Sequence, residues 1–287
     1  MFKYDGLDIL FNNYALKNKK IDANFIYDAV SIIIDKDNTH DIIKEVSFDI
    51  PYDKDIYASV YYKGRRLKVN ECYSDPDKYL KPINNIFNYN TQILQYILHE
   101  CSHAKQFKNY IDNVPIEKEI LEWTIIGNEI YKDNTSKLLD TLTTTKELYD
   151  MNFDFDLFDT IRILDKAVET KKVYELSPAE RMAQIRSYII TKELVELSNI
   201  YEAKETLYEL KKIIERYKRS KYIITNNKII SPLERYYNLL KRKGIPNLDN
   251  IIPTLLEYNL SLDDRLYYGI PITKKEYKKR KLTKFSF

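Results

Sequence analysis

Cysteine is nearly absent from this sequence: Cys72 and Cys101 are the only two in 287 residues, and they form no C-x-x-C pair. That excludes a disulfide framework, a dithiol redox centre and a cysteine-built zinc ribbon, and it predicts a reducing, cytoplasmic setting. Glycine is scarce as well, at 5 residues, and no Gly-, Ser- or Pro-rich tract suggests extended disorder. No apolar run approaches the length that crosses a bilayer. The opening MFKYDGLDILFNNYALKNKK places Asp5 and Asp8 where an export signal would need an unbroken apolar core. These absences predict a soluble globular protein with no membrane partner.

Hydrophobic residues are plentiful at 44%, enough for a sizeable core, and charged residues make up 31%. The net charge of +3 is unevenly spread, because Lys274 to Lys284 carries seven Lys or Arg against one Glu. The tail is therefore strongly basic and the remainder mildly acidic. Such a tail is most often a solvated end, and it is also the feature through which nucleic acid would be held.

Between residues 28 and 73 the segments AVSIIID, KEVSFDI, IYASVYYKG and RRLKVNECY are rich in β-branched and aromatic residues and predict strands. The last two meet at Lys63 and Gly64, which predicts a hairpin. From Asn90 onward the spacing is helical over 91–111, 117–131, 155–171, a long stretch from 178, 232–243 and 250–258. Strands followed by helices predict an α+β fold, with a small, mostly antiparallel N-terminal sheet packed on helices and a mainly helical C-terminal half. The expected division is 1–195 and 196–287, the second part a helical region ending in the basic tail.

Two of the three histidines lie four residues apart in ILHECSHAKQF, residues 97–107. On a helix His99 and His103 stand one above the other, so both imidazoles can converge on one ion. Glu100 projects from the neighbouring edge, where it can take a proton from a water that zinc has acidified. Ile93, Leu94, Ile97, Leu98, Cys101 and Ala104 form the apolar face of this helix, and the two histidines lie on the order of 140° from its centre. They do not face that core. A solvated histidine pair would fit the same wheel, but Tyr96 and Phe107 flank the histidines as a cleft wall would. The third histidine, His40, sits in the polar turn KDNTHD and is expected at the surface, whereas Cys101 is expected to pack inside.

The segment HECSHAKQ resembles the active-site helix of the zincin metallopeptidases, and the continuation resembles the glutamate-zincins, especially compact intracellular peptidases of Gram-positive bacteria and their mobile elements or phages. The resemblance covers about residues 44–190. It implies a zinc metallopeptidase, a sheet edge beside the motif helix where a peptide substrate docks, and a second helix that supplies a glutamate ligand. The candidate edges are IYASVYYKG and RRLKVNECY.

Two histidines leave a catalytic zinc short of one protein ligand. Glu180 in YELSPAERMAQIRSYI is the preferred third ligand, since Glu180 and Ala183 share a helical face and a small residue there permits close approach. With this ligand, residues of about 112–172 become a helical insertion. Glu122, nineteen residues after His103, and Glu129, next to Asn128, are alternatives. A purely structural explanation also exists: Ser177, Pro178 and Glu180 make an S-P-x-E capping box, and SPLER at 231–235 repeats it far from any histidine. A tyrosine or Arg181 is the candidate for polarising the substrate carbonyl. The rival to the enzyme is a helical protein- or nucleic-acid-binding molecule, built on KKIIERYKRSK and the basic tail, with a structural or degenerate metal site.

Overall fold

The computed structural model describes residues 3–49, 58–61, 65–80, 82–121, 176–198, 200–201, 203–242 and 255–282. Two helices, α1 (Leu7–Leu16) and α2 (Ala23–Asp37), come before any strand. The run AVSIIID, expected as a strand, lies inside α2. Its β-branched composition favours a strand locally, but the buried residues Phe25, Ile26, Ala29, Val30 and Ile33 recur at helical spacing. The Asp22 side chain accepts from the Phe25 N–H at one end, and Asn38 closes the other in the left-handed region.

Three strands follow: β1 (Glu45–Asp49), β2 (Ala58–Tyr61) and β3 (Arg66–Asn70), in spatial order β1-β3-β2. The β2–β3 pair is antiparallel with Tyr61 opposite Arg66, as a hairpin requires; Lys63 and Gly64 lie outside the described residues. β1 runs parallel to β3, so the sheet is mixed rather than mostly antiparallel. It also follows that RRLKVNECY holds the central strand, whose two sides are both paired, and that β2, one of the two edge strands, contacts α4.

After the short helix α3 (Pro76–Tyr79), α4 (Ile86–Ile111) runs through the middle of the molecule and contacts α2, β2 and α5 (Pro178–Leu197). α5 carries Ala179, Ala183, Ser187 and Thr191, all buried and spaced by four, so a stripe of small side chains faces inward. The Gln106 amide donates to the Ala179 carbonyl at 2.9 Å and Gln95 to the Ser187 hydroxyl at 3.0 Å. Residues rising along α4 thus meet residues descending along α5: the two helices are antiparallel and close.

The remaining elements are α6 (Ala203–Arg219), the two-stranded β4 (Ile223–Ile224) and β5 (Ile229–Ile230), α7 (Pro232–Arg242), α8 (Leu262–Tyr268) and α9 (Lys274–Leu282). One large apolar cluster joins α1, α2, the sheet, α4 and α5, and it includes Ala203 and Leu210 of α6. Packing therefore continues across residue 195. Smaller clusters around Met182, Leu233 and Ile270, and around Tyr222 and Leu266, hold the C-terminal elements. Residues 115–121 are helical, while the helices expected over 122–131 and 155–171 lie outside the described residues. No described helix is long and apolar enough to cross a membrane. The architecture is a mixed α+β one, mostly helical, with one small sheet.

Candidate metal centre

α4 is buried on nearly all sides. His103, expected to face away from the core, is only 2% exposed because α5 covers that side of the helix. The covering is polar. His99 Nε2 and His103 Nε2 are 3.1 Å apart with their rings at 86°, and Glu180 reaches in from the first turn of α5. Its Oε1 lies 3.2 Å from His103 Nε2 and its Oε2 3.4 Å from His99 Nε2. One donor atom from each of the three residues thus comes together, and the structure brings His99, His103 and Glu180 into one group.

The donor set suits zinc. Three atoms held at 2.0–2.1 Å around one tetrahedral ion are separated from each other by roughly 3.3–3.4 Å, which the observed 3.1, 3.2 and 3.4 Å approach. The chemistry agrees with the distances. Two Nε2 lone pairs pointed at one another beside a carboxylate repel unless a cation lies among them, either a proton or a metal. Burial opposes charge on both Glu180 and His103, yet their mutual attraction wins. The imidazoles hold the Glu180 carboxyl far below the usual range, and the Glu180 charge pushes His103 up to about 9.

Gln106 determines which nitrogen of His103 is free. Because its Nε2 donates to the Ala179 carbonyl, its Oε1 is the atom 3.0 Å from His103 Nδ1, so Nδ1 carries hydrogen and Nε2 is left to bind. His99 lacks such support. Its Nδ1 is buried without a hydrogen-bond partner among the described residues. Sequence reasoning passed over Gln106, although it lies three residues after His103, one turn away on the same face.

Glu100 stands beside the group and outside it. Its Oε2 accepts from the Val60 N–H of β2 at 3.1 Å, and its Oε1 is 4.0 Å from His99 Nε2. Burial raises the proton affinity of this carboxyl and the nearby Glu180 charge adds to it, while the imidazoles and the Val60 N–H oppose both. Val60 thus ties Glu100 to the edge strand, and no local sequence signal marks it for that contact.

The two S-P-x-E segments behave differently. At α7 the box is formed: Glu234 Oε2 accepts from the Ser231 N–H at 2.6 Å, and Ser231 Oγ from the Glu234 N–H at 3.1 Å. At α5 Ser177 makes no side-chain cap, its hydroxyl is buried without a partner among the described residues, and Glu180 points to the imidazoles instead. Capping does not account for Glu180. Glu122 and Glu129 lie outside the described residues.

Arg181 is not available to polarise a carbonyl. Its side chain turns away from the metal group and donates to the carbonyls of Lys218 at 2.6 Å and Leu266 at 2.7 Å, and to the carbonyl and hydroxyl of Ser220 at 3.2 and 3.3 Å. No carboxylate among the described residues pairs with it, and burial pulls its pKa down to about 10. It works as a clamp between the start of α5 and the ends of α6 and α8. Gly269, at φ +74°, lets the chain pass this clamp, since a Cβ there would lie 3.2 Å from Arg181 Nε. His40 is at the surface, with Asp35 2.7 Å away, and Cys101 is buried.

No family model matches the chain, and no match was found among curated proteins or solved structures.

Proposed function

We propose that the protein is a zinc-dependent peptidase of the zincin type, with His99, His103 and Glu180 as metal ligands and Glu100 as general base. The observation that carries this reading is the convergence of two Nε2 atoms and one carboxylate, with a second carboxylate, Glu100, adjacent and anchored. Zinc held there would supply Lewis acidity that makes water a nucleophile near neutral pH. Each residue has a defined task. Gln106 keeps His103 in the binding tautomer, and the Val60 N–H fixes one oxygen of Glu100 so that Oε1 is the atom that accepts the proton of the attacking water. The same oxygen then returns a proton to the leaving amine. An extended peptide is accommodated along the β2 edge, the side of the sheet that abuts α4.

The test is metal content together with peptide cleavage. One zinc per chain, lost in His103→Ala and retained in an inactive Glu100→Gln, is the expected result. Absence of stoichiometric metal, with salt-sensitive nucleic-acid binding in its place, would overturn the reading in favour of the basic C-terminal segments. The cytoplasmic setting predicted from cysteine usage belongs to the same proposal.

A further inference from the structure

A cavity of about 290 Å³ lies between α4, α5 and α6, outside the metal group. On α4, Tyr96 and Gln92 line the cavity and precede His99 by three and seven residues, or about 4.5 and 10.5 Å along the axis. On α5, Glu180, Gln184 and Tyr188 stack at intervals of four, so the face that holds the third ligand continues as the cavity floor at Tyr188. α6 closes the other side with Glu205, Thr206, Glu209, Leu210 and Ile213. Thr206 near its start donates to Asn88 of α4 at 2.7 Å, and the Lys218 carbonyl near its end accepts from Arg181 beside the third ligand.

The lining has a chemical direction. Tyr96, Tyr188 and Leu210 offer apolar surface, Glu205 and Glu209 lie at its exposed side, and among the described residues no Lys or Arg lines the space. The two carboxylates are four residues apart on one helix, an arrangement in which like charges repel and which a cation between them relieves. Glu209 has a partial answer in Lys212 at 2.9 Å on the exposed side. Glu205 makes no hydrogen bond or ion pair among the described residues. A long aliphatic stem ending in a positive charge fits this lining from floor to exposed side.

We propose that this cavity is a subsite for a lysine or arginine side chain of the substrate peptide, an inference that rests on the peptidase reading. An extended peptide advances about 3.3 Å per residue, so the cationic residue sits two or three positions from the bond that is cut. The charge of the subsite, more than its shape, selects the side chain. Selectivity should therefore weaken as salt rises, because both carboxylates reach solvent.

The experiment walks a single lysine through a ten-residue Ala/Ser peptide and replaces it by norleucine at each position. Binding to zinc-loaded Glu100→Gln protein and cleavage by the wild type are both measured. Lysine should be favoured roughly fivefold over norleucine at one position two or three residues from the cut, less so at high salt, and the preference should vanish in Glu205→Gln/Glu209→Gln. Equal binding of the lysine and norleucine peptides at every position, or a preference unchanged in the double variant, would overturn the subsite. The two readings fail separately. Cleavage without lysine preference removes the subsite alone; lysine-selective binding without cleavage of any peptide removes the peptidase and leaves a cation-selective peptide groove.

Discussion

Gln106 Oε1 sits 3.0 Å from His103 Nδ1 while the same amide donates to the Ala179 carbonyl at 2.9 Å, so one side chain ties the His103 ring to the helix that brings Glu180. Replacing Gln106 by Leu removes the acceptor that holds hydrogen on Nδ1 and the amide that donates to the Ala179 carbonyl. Zinc affinity should fall about 10- to 100-fold, measured by competition with a chromogenic chelator. Unchanged affinity would mean that the ring needs no such support.

In metal-free protein Glu180 holds His103 protonated up to a pH of about 9, so zinc must displace that proton. Zinc affinity should drop about tenfold for each pH unit below 9, with proton release visible by calorimetry in buffers of different ionisation enthalpy. The stability contribution runs the other way. The folded pKa of His103 lies above its unfolded value, so the metal-free protein gains from the pair fully below about pH 6.5 and loses that gain as pH rises to about 9. Chemical denaturation of metal-free protein across this window checks the sign, and Glu180→Gln should abolish the slope.

Glu180 and Glu234 occupy the same place in the same tetrapeptide pattern, and only Glu234 bonds back to its cap. Ser231→Ala should therefore cost about 1 kcal/mol of stability and Ser177→Ala far less, read from urea midpoints of metal-free protein. Comparable losses at the two serines would indicate that α5 is capped in solution after all.

Arg181→Met leaves the carbonyls of Lys218 and Leu266 without the donor that serves them and breaks the clamp behind Glu180. A loss of about 3 kcal/mol is expected, along with weaker zinc binding, and Arg181→Lys should recover only part of either. Thermal unfolding and zinc titration on the same samples separate the two effects.

Ala183 is fully buried in the stripe of small residues where α5 lies on α4. Ala183→Leu should push the helices apart, costing about 1–3 kcal/mol. Cobalt substitution offers a sensitive readout: the visible spectrum of the ion should shift or vanish in this variant even under conditions where the chain stays folded.

The histidine pair and its adjacent glutamate were legible because a helix repeats every 3.6 residues, and spacing alone sets which side chains share a face. α4, α5 and α7 were readable for the same reason, from apolar periodicity and, for α5 and α7, from Pro at the first turn. α2 was not, since its Ile-rich run favours a strand by composition, and only its docking against α4 uses the helical spacing. The parallel pairing of β1 with β3 was equally hidden, because strand order depends on how the chain crosses over the sheet rather than on the residues of any one strand.

Local order along the chain was enough to stack two imidazoles, set a carboxylate beside them and place a small-residue stripe on a second helix. It could not say which of two S-P-x-E starts would cap its own helix and which would send its glutamate to a neighbouring helix. Nor could it foresee that Arg181 is consumed by the C-terminal helices, or that an edge-strand N–H holds Glu100. Those outcomes depend on what each side chain meets across space, and residues 40 to 92 positions apart become neighbours only when buried apolar surface has brought their elements together.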